Sequence, residues 1–310
     1  MKIAFVFPGQ GSQYVGMGKE ICENFEGARE VFTEASQALG YDVADICFNG
    51  PVEELNKTFR TQPCILTVSM AVFRILAEKG FKPSVVAGHS LGEYSALTAA
   101  GAISLEDAVR LTEKRGCFMQ EAVPEGQGLM AAILGLDREK VDSLCKTAGK
   151  GYVSPANYNC PGQIVIAGEK TAVEEAIYLC KEAGAKRAVA LSVSVPSHCK
   201  LMEDASQKLE ELLGAIEFKK PVVPLVNNAD AAFLTDTEDL KSSLVRQLSS
   251  PLLWEDTIKN MEASGVDAFI EVGPGKVLSG LIKRISSDAK VMNVEDLKSL
   301  DSAISFFHVT

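Results

Sequence analysis

Five residues, Gly88-His-Ser-Leu-Gly92, fit the pattern G-x-S-x-G. A short apolar run, Ser84 to Ala87, precedes them, and helical sequence follows. At such a strand-to-helix junction the glycines make room for a sharp turn. The serine then stands at its apex as a nucleophile, and the next N–H can face a developing oxyanion. Ser90 is the candidate nucleophile and the Leu91 N–H a candidate donor; the competing reading is an ordinary glycine-rich turn.

A serine hydroxyl needs a base, and imidazole has a suitable pKa. The chain contains three histidines. His89 adjoins the nucleophile, where neighbours point apart, which suits packing or orienting. His308 lies in the C-terminal tail, where order is often lost. His198, in Ser194-Val-Pro-Ser-His198, is chosen by elimination. It falls at an expected helix start, where the positive end of the dipole favours neutral imidazole. A structural, hydrogen-bonded histidine is the alternative, and no local motif nominates an acid to complete a hydrolase triad.

Arg115 is the most informative charge. Ser104-Leu-Glu-Asp107 is a capping pattern, and Ala108, Leu111, Phe118 and Met119 recur at helical spacing behind it. Arg115 falls inside that apolar stripe, whereas Arg110 and Lys114 fall on the far side. A guanidinium aimed inward needs an anion to offset desolvation, and it grips a carboxylate bidentately. A structural ion pair or a side chain that snorkels outward would also satisfy the pattern. Gly9-Gln-Gly11, after the run Ile3 to Phe7, fails as a dinucleotide fingerprint because Tyr14 stands where a glycine is needed. Its loop can lend a second oxyanion N–H, or be a tight turn only.

These residues need a scaffold, and 310 residues, 46% apolar and 23% charged, can fold into about two domains. A net charge of −10 disfavours nucleic acid as a partner. The clearest apolar runs are of strand length, so no membrane span is expected. Folded sequence begins directly after Met-Lys, without a signal segment, and the chain is read as cytoplasmic. Eight cysteines are scattered singly, without metal-ligand spacing; reduced thiols and no metal site are expected.

The order of elements is α/β at both ends. The first part reads as the strand Ile3 to Phe7, helical sequence from about Gly16, a helix Thr67 to Lys79, and the strand leading to Ser90. Between Pro124-Glu-Gly126 and Pro196 the order is strand (Leu129 to Leu134), helix (Arg138 to Ala148), and strands near Tyr152 to Ala156 and at Gln163 to Ala167. A helix (Thr171 to Ala183) and a strand (Arg187 to Val193) follow. This β-α-β-β-α-β order marks a small ferredoxin-like module. Then come a helix to about Leu213, a strand Val222 to Asn227, helices near Thr237 to Gln247 and Leu253 to Ser264, and a strand Ala268 to Val272. The turn Gly273-Pro-Gly275 leads into a further helix. The expected domains are therefore 1–126 with 196–310, interrupted by 127–195, with a ligand cleft between them.

Four segments in this order resemble the malonyl-CoA:acyl carrier protein transacylases: Phe7-Pro-Gly-Gln-Gly-Ser-Gln13, Gly88-His-Ser-Leu-Gly-Glu-Tyr94, Ser194-Val-Pro-Ser-His198 and Glu271-Val-Gly-Pro-Gly-Lys-Val-Leu278. Arg115, Asn157-Tyr-Asn-Cys-Pro-Gly-Gln163 and Arg246-Gln247 extend the likeness over nearly the whole chain. The resemblance implies an α/β-hydrolase-like large domain with a parallel sheet and an inserted ferredoxin-like subdomain. It implies malonyl transfer from CoA to the carrier's phosphopantetheine thiol in fatty acid biosynthesis, through a malonyl-serine. Ser90 would be the nucleophile, His198 the base and then acid, and Arg115 the ligand of the malonyl carboxylate. The Gln10 and Leu91 N–H groups would form the oxyanion hole, with Gln62 and Gln247 beside the site and the Gln247 carbonyl holding His198. Malonyl-CoA and acyl carrier protein would be the partners, with no bound cofactor or metal, and a monomer is expected. Lys186, Arg187, Lys219 and Lys220 are carrier-docking candidates by composition alone. Two rival readings are a serine esterase or thioesterase, in which water resolves the acyl-enzyme, and a catalytically silent carrier-binding module.

Overall fold

The computed structural model describes residues 1–124, 126–191 and 195–308. Among the described residues ten strands form two sheets. The larger contains β1 (Ile3–Phe7), β2 (Val85–Gly88), β7 (Leu225–Val226), β8 (Phe233–Leu234), β9 (Ala268–Val272) and β10 (Lys290–Val294), in the order β10-β9-β1-β2-β7-β8. All its neighbours are parallel except β7 and β8. The smaller is antiparallel, with β3 (Gly128–Leu134), β4 (Val153–Cys160), β5 (Gln163–Glu169) and β6 (Arg187–Ala190) in the order β4-β5-β3-β6.

The first half carries helices α1 (Lys19–Asn24), α2 (Glu26–Leu39), α3 (Val43–Asn49), α4 (Val52–Leu55), α5 (Thr58–Glu78), α6 (Gly92–Ala99) and α7 (Leu105–Ala122). Helices α8 (Arg138–Thr147) and α9 (Lys170–Glu182) belong to the small sheet. The remainder are α10 (Glu203–Gly214), α11 (Thr237–Ser249), α12 (Trp254–Ala263), α13 (Val277–Ile285) and α14 (Leu297–His308). Among the described residues no helix is long and apolar enough to cross a membrane.

The unbroken apolar run of β1 follows from burial on both faces. Phe5 and Phe7 pack into one core with α5 and α6, while Ala4 and Val6 pack into the other with Trp254 and Ile258 of α12. The small sheet carries its own helices on one side. Ala131, Ile133, Ile164 and Ile166 pack against Val141 of α8 and Val173 of α9. Met130, Val165 and Ala167 face the other way, beside Cys199. That helix-free face closes over the carboxyl edge of the parallel sheet. The Leu252 N–H donates to Ala156 O, the Tyr158 N–H donates to Leu252 O, and Arg138 pairs with Asp256 at 2.7 Å.

Several elements depart from expectation. The first helix begins at Lys19 and stops at Phe25 before α2 resumes. Helix α5 begins at Thr58 rather than Thr67 and runs through Pro63, a break of about 3 kcal/mol offset by burial on every side from Thr61 to Val72. The strand expected over Val222 to Asn227 shrinks to two residues, because Pro224 has no N–H for the ladder. Past Pro196 no helix forms until a 3-10 turn at Lys200–Met202 and then α10. β8, β10 and α14 were not expected, and α14 carries the backbone of His308 out of the expected loose tail. Glu125, and residues Ser192, Val193 and Ser194 of the expected strand end and histidine motif, lie outside the described residues.

Candidate active site

The loops after β1, β2, β7 and β9 meet at the carboxyl edge of the large sheet, where open α/β sheets bind ligands. Ser90 leaves β2 at φ 53°, a left-handed conformation that costs a residue with a Cβ about 1 kcal/mol or more. The glycines permit the turn by close approach. A Cβ on Gly88 would lie 1.8 Å from the Gly92 carbonyl carbon, and one on Gly92 would lie 2.0 Å from Phe7 O. Asn228, in the loop after β7, pins the strained residue: its Oδ1 accepts from the Ser90 N–H at 2.7 Å, and its Nδ2 donates to Gly88 O at 2.7 Å.

His198 Nε2 lies 2.7 Å from Ser90 Oγ, and its Nδ1 lies 2.8 Å from the backbone oxygen of Gln247. A carbonyl can only accept, so Nδ1 carries the proton and Nε2 offers its lone pair to the serine. The imidazole is 1% exposed, and its pKa falls to about 3, first from burial and then from the Arg115 charge. The expected helix dipole is not the cause: His198 sits at φ 60° ahead of the 3-10 turn and is no helix start. His89 turns away, as expected. Its Nε2 lies 2.9 Å from Asn159 Oδ1 of β4, and its ring meets Trp254 edge-on at 5.5 Å.

Arg115 is 1% exposed on α7, whose N-cap Ser104 accepts from the Asp107 N–H at 3.1 Å. Gly116 lets that helix press on α5, since a Cβ there would lie 2.5 Å from Phe59 Cα. Arg115 Nη1 donates to Gln62 Oε1 at 2.7 Å. Its Nη2 donates to Gln247 Oε1 at 3.0 Å and to Ser90 Oγ at 3.2 Å. Tyr94 lies beneath, with its ring centre 5.3 Å from the guanidinium carbon. These hydrogen-bond partners are all neutral, and burial depresses the Arg115 pKa. Among the described residues Arg115 has no ion-pair partner, and its side chain is buried rather than snorkelling outward.

Gln10 and Leu91 flank Ser90 in the cleft, which holds about 240 Å³ and takes its roof from Met130, Asn157 and Val165 of the small sheet. Among the described residues, neither the Gln10 nor the Leu91 amide donates to a protein acceptor. Gln62 does not line the cleft but stands behind Arg115, with its Nε2 3.4 Å from Met119 Sδ. Lys186 and Arg187 lie at the Leu134 end of the small sheet and Lys219 beside Ala102; these and Lys220 are exposed, and none lines the cleft.

Reading by sequence missed Asn228 and Glu93. Glu93 is 1% exposed on α6, and burial raises its pKa to about 7. Its signal was available: one carboxylate in Gly92-Glu-Tyr-Ser-Ala-Leu, an otherwise uncharged first turn. Asn228 had only its place after a short strand.

The family model of the acyl transferase domain matches residues 4–301. The malonyl CoA-acyl carrier protein transacylase of Escherichia coli is 55% identical over 286 residues, 92% of this chain and 93% of that protein. The crystal structure of an acyl carrier protein S-malonyltransferase from Vibrio cholerae superimposes with a TM-score of 0.96 at 50% identity, covering 98% of this chain and 100% of that one. A malonyl-transacylase solved in complex with a type II PKS acyl-carrier protein gives 0.97 at 50% identity, covering 99% and 100%.

Proposed function

Since the chain belongs to the malonyl-CoA:acyl carrier protein transacylases within the acyl transferase domain family, we propose that Ser90, His198 and Arg115 carry its reaction. The enzyme moves malonyl from malonyl-CoA to acyl carrier protein in fatty acid biosynthesis.

In the first half-reaction Ser90 Oγ attacks the thioester carbonyl while its proton passes to His198 Nε2, 2.7 Å away. The C–S bond breaks, the departing sulfur takes that proton, and malonyl remains as an ester on Ser90. In the second, His198 takes the proton of the phosphopantetheine thiol, the sulfur attacks the ester, and Ser90 leaves with the proton. The Gln10 and Leu91 N–H groups receive the oxyanion in both. The Gln247 carbonyl does the orienting work an aspartate does in a hydrolase triad, and being neutral it leaves the imidazole easily deprotonated.

The observation that carries this reading is the buried Arg115 guanidinium, 3.2 Å from Ser90 Oγ, whose hydrogen-bond acceptors among the described residues are all neutral. A carboxylate two carbons beyond the acylated oxygen is the counter-ion it suits. Gln62 and Gln247 aim it.

The description of 1–126 with 196–310 as an α/β-hydrolase-like domain, and of 127–195 as a ferredoxin-like subdomain, is supported by the parallel order of the large sheet. The β4-β5-β3-β6 order of the small one supports it equally. All the proposed site residues come from one chain, which suits a monomer. Eight free cysteines suit a reducing compartment such as the cytoplasm.

Incubation with malonyl-CoA followed by peptide mass spectrometry tests the mechanism: one malonyl group is expected on the Ser90 peptide. An unmodified peptide under turnover conditions would reject it.

A further inference from the structure

Glu93 has no part in the steps above, yet its carboxylate joins the residues that do. Oε2 accepts from Gln247 Nε2 at 2.9 Å and from the Asn228 N–H at 3.0 Å; Oε1 accepts from Ser243 Oγ at 3.4 Å. Among the described residues no Lys, Arg or His pairs with it directly; hydrogen-bond donors hold this buried acid, and the Arg115 charge across Gln247 favours its ionised form.

Its chemical consequence lies in Gln247. A side-chain amide has a donating end and an accepting end, and which end faces which neighbour is set by those neighbours. Arg115 Nη2 can only donate, and Glu93 Oε2 and the Ser90 carbonyl accept, so the Gln247 amide has one satisfactory orientation. With Oε2 gone, the Ser90 carbonyl alone would hold Nε2, and the amide, anchored at one point instead of two, would hold Oε1 less firmly against the guanidinium. We infer that Glu93 is a positioning residue: by accepting from Gln247 Nε2 it keeps Gln247 Oε1 on Arg115, and so holds the guanidinium where the malonyl carboxylate arrives. The inference rests on the role of Arg115 proposed above. Either protonation state serves, because a proton would reside on Oε1, facing the Ser243 hydroxyl, and leave Oε2 an acceptor.

The test compares Ser90 acylation by malonyl-CoA and acetyl-CoA in the full chain. Glu93→Gln retains an acceptor for the Asn228 N–H and Gln247, and should keep the malonyl-to-acetyl ratio of kcat/KM within about twofold. Glu93→Leu should lower that ratio roughly tenfold, the size of one lost hydrogen bond to a charged group. Combined with Gln247→Leu, it should add no more than about twofold to the loss from Gln247→Leu alone. Equal losses on both donors, additive losses, or a Gln variant as impaired as the Leu variant would each overturn the inference. If Glu93→Leu does not fold, Glu93→Met, of similar length and without a carboxylate acceptor, decides: a roughly tenfold fall in the ratio upholds the link and an unchanged ratio removes it. Failure of the underlying reading has a different signature, a wild-type chain that leaves Ser90 unacylated or an Arg115→Ala chain with an unaltered ratio.

Discussion

Arg115 Nη2 lies 3.2 Å from Ser90 Oγ, so the cation and the proposed nucleophile share one hydrogen-bond distance although one stands on α7 and the other at the turn after β2. Under the proposed roles, that proximity would tie acyl selectivity to the same atom that forms the ester. A substrate without a carboxylate leaves the guanidinium buried and unanswered, which makes discrimination a matter of desolvation as well as attraction.

Arg115→Ala should therefore lower malonyl transfer roughly ten- to a hundredfold, from the 1.5–3 kcal/mol of a charged hydrogen bond, and acetyl transfer much less. Steady-state kcat/KM with both donors measures it. Equal losses would remove the arginine from substrate recognition.

Ser90→Ala should abolish the covalent adduct, and His198→Ala should lower acylation by roughly 10⁴–10⁶-fold, as removal of one member of a nucleophile–base unit does. Quenched-flow acylation with labelled malonyl-CoA gives both numbers.

The acid limb of acylation should lie far below an ordinary histidine titration. His198 is lowered from 6.5 to about 3, so the free base persists as pH falls through 6.5 and is lost only near the lower value. Rates of Ser90 acylation should stay level from about pH 7 down to about pH 5. An inflection centred near 6.5 would contradict the buried, neutral imidazole.

Glu93 makes a separate, thermodynamic prediction. Its pKa rises from 4.5 unfolded to about 7 folded, so the native state binds more protons between those values and stability falls as pH rises through that window. Glu93→Gln has no such titration. Its unfolding free energy relative to wild type should therefore increase from pH 4.5 to 7 and level off above; urea midpoints across that range would reveal a flat difference if Glu93 were freely solvated.

Gly88→Ala should destabilise the chain by at least about 1–3 kcal/mol and remove activity with it, since its Cβ would lie 1.8 Å from the Gly92 carbonyl carbon. A denaturant midpoint near that of wild type would mean that the elbow can open, contrary to its packing.

Ser90 and Arg115 were legible in the sequence because their signals are local. Two glycines four residues apart specify a turn, and an arginine in an apolar stripe of period 3.6 specifies an inward charge. The alternation of strands and helices was legible for the same reason, and its failures fell where the local signal was weak: the strand cut short by Pro224, the two-residue β8, and the edge strand β10. What holds His198 could not be read locally. Its acceptor is a main-chain carbonyl, a group every residue carries, and Gln247 lies 49 positions away. Asn228 is 138 positions from Ser90 and reaches it only because β7 lies beside β2. Which side chain could attack and which charge turns inward were readable from residue order alone, since both follow from short-range sterics and periodicity. That they meet, that Glu93 and Gln247 hydrogen-bond around them, and that His198 is buried with its pKa lowered follow from the assembled fold, because strand order and burial are properties of the whole sheet.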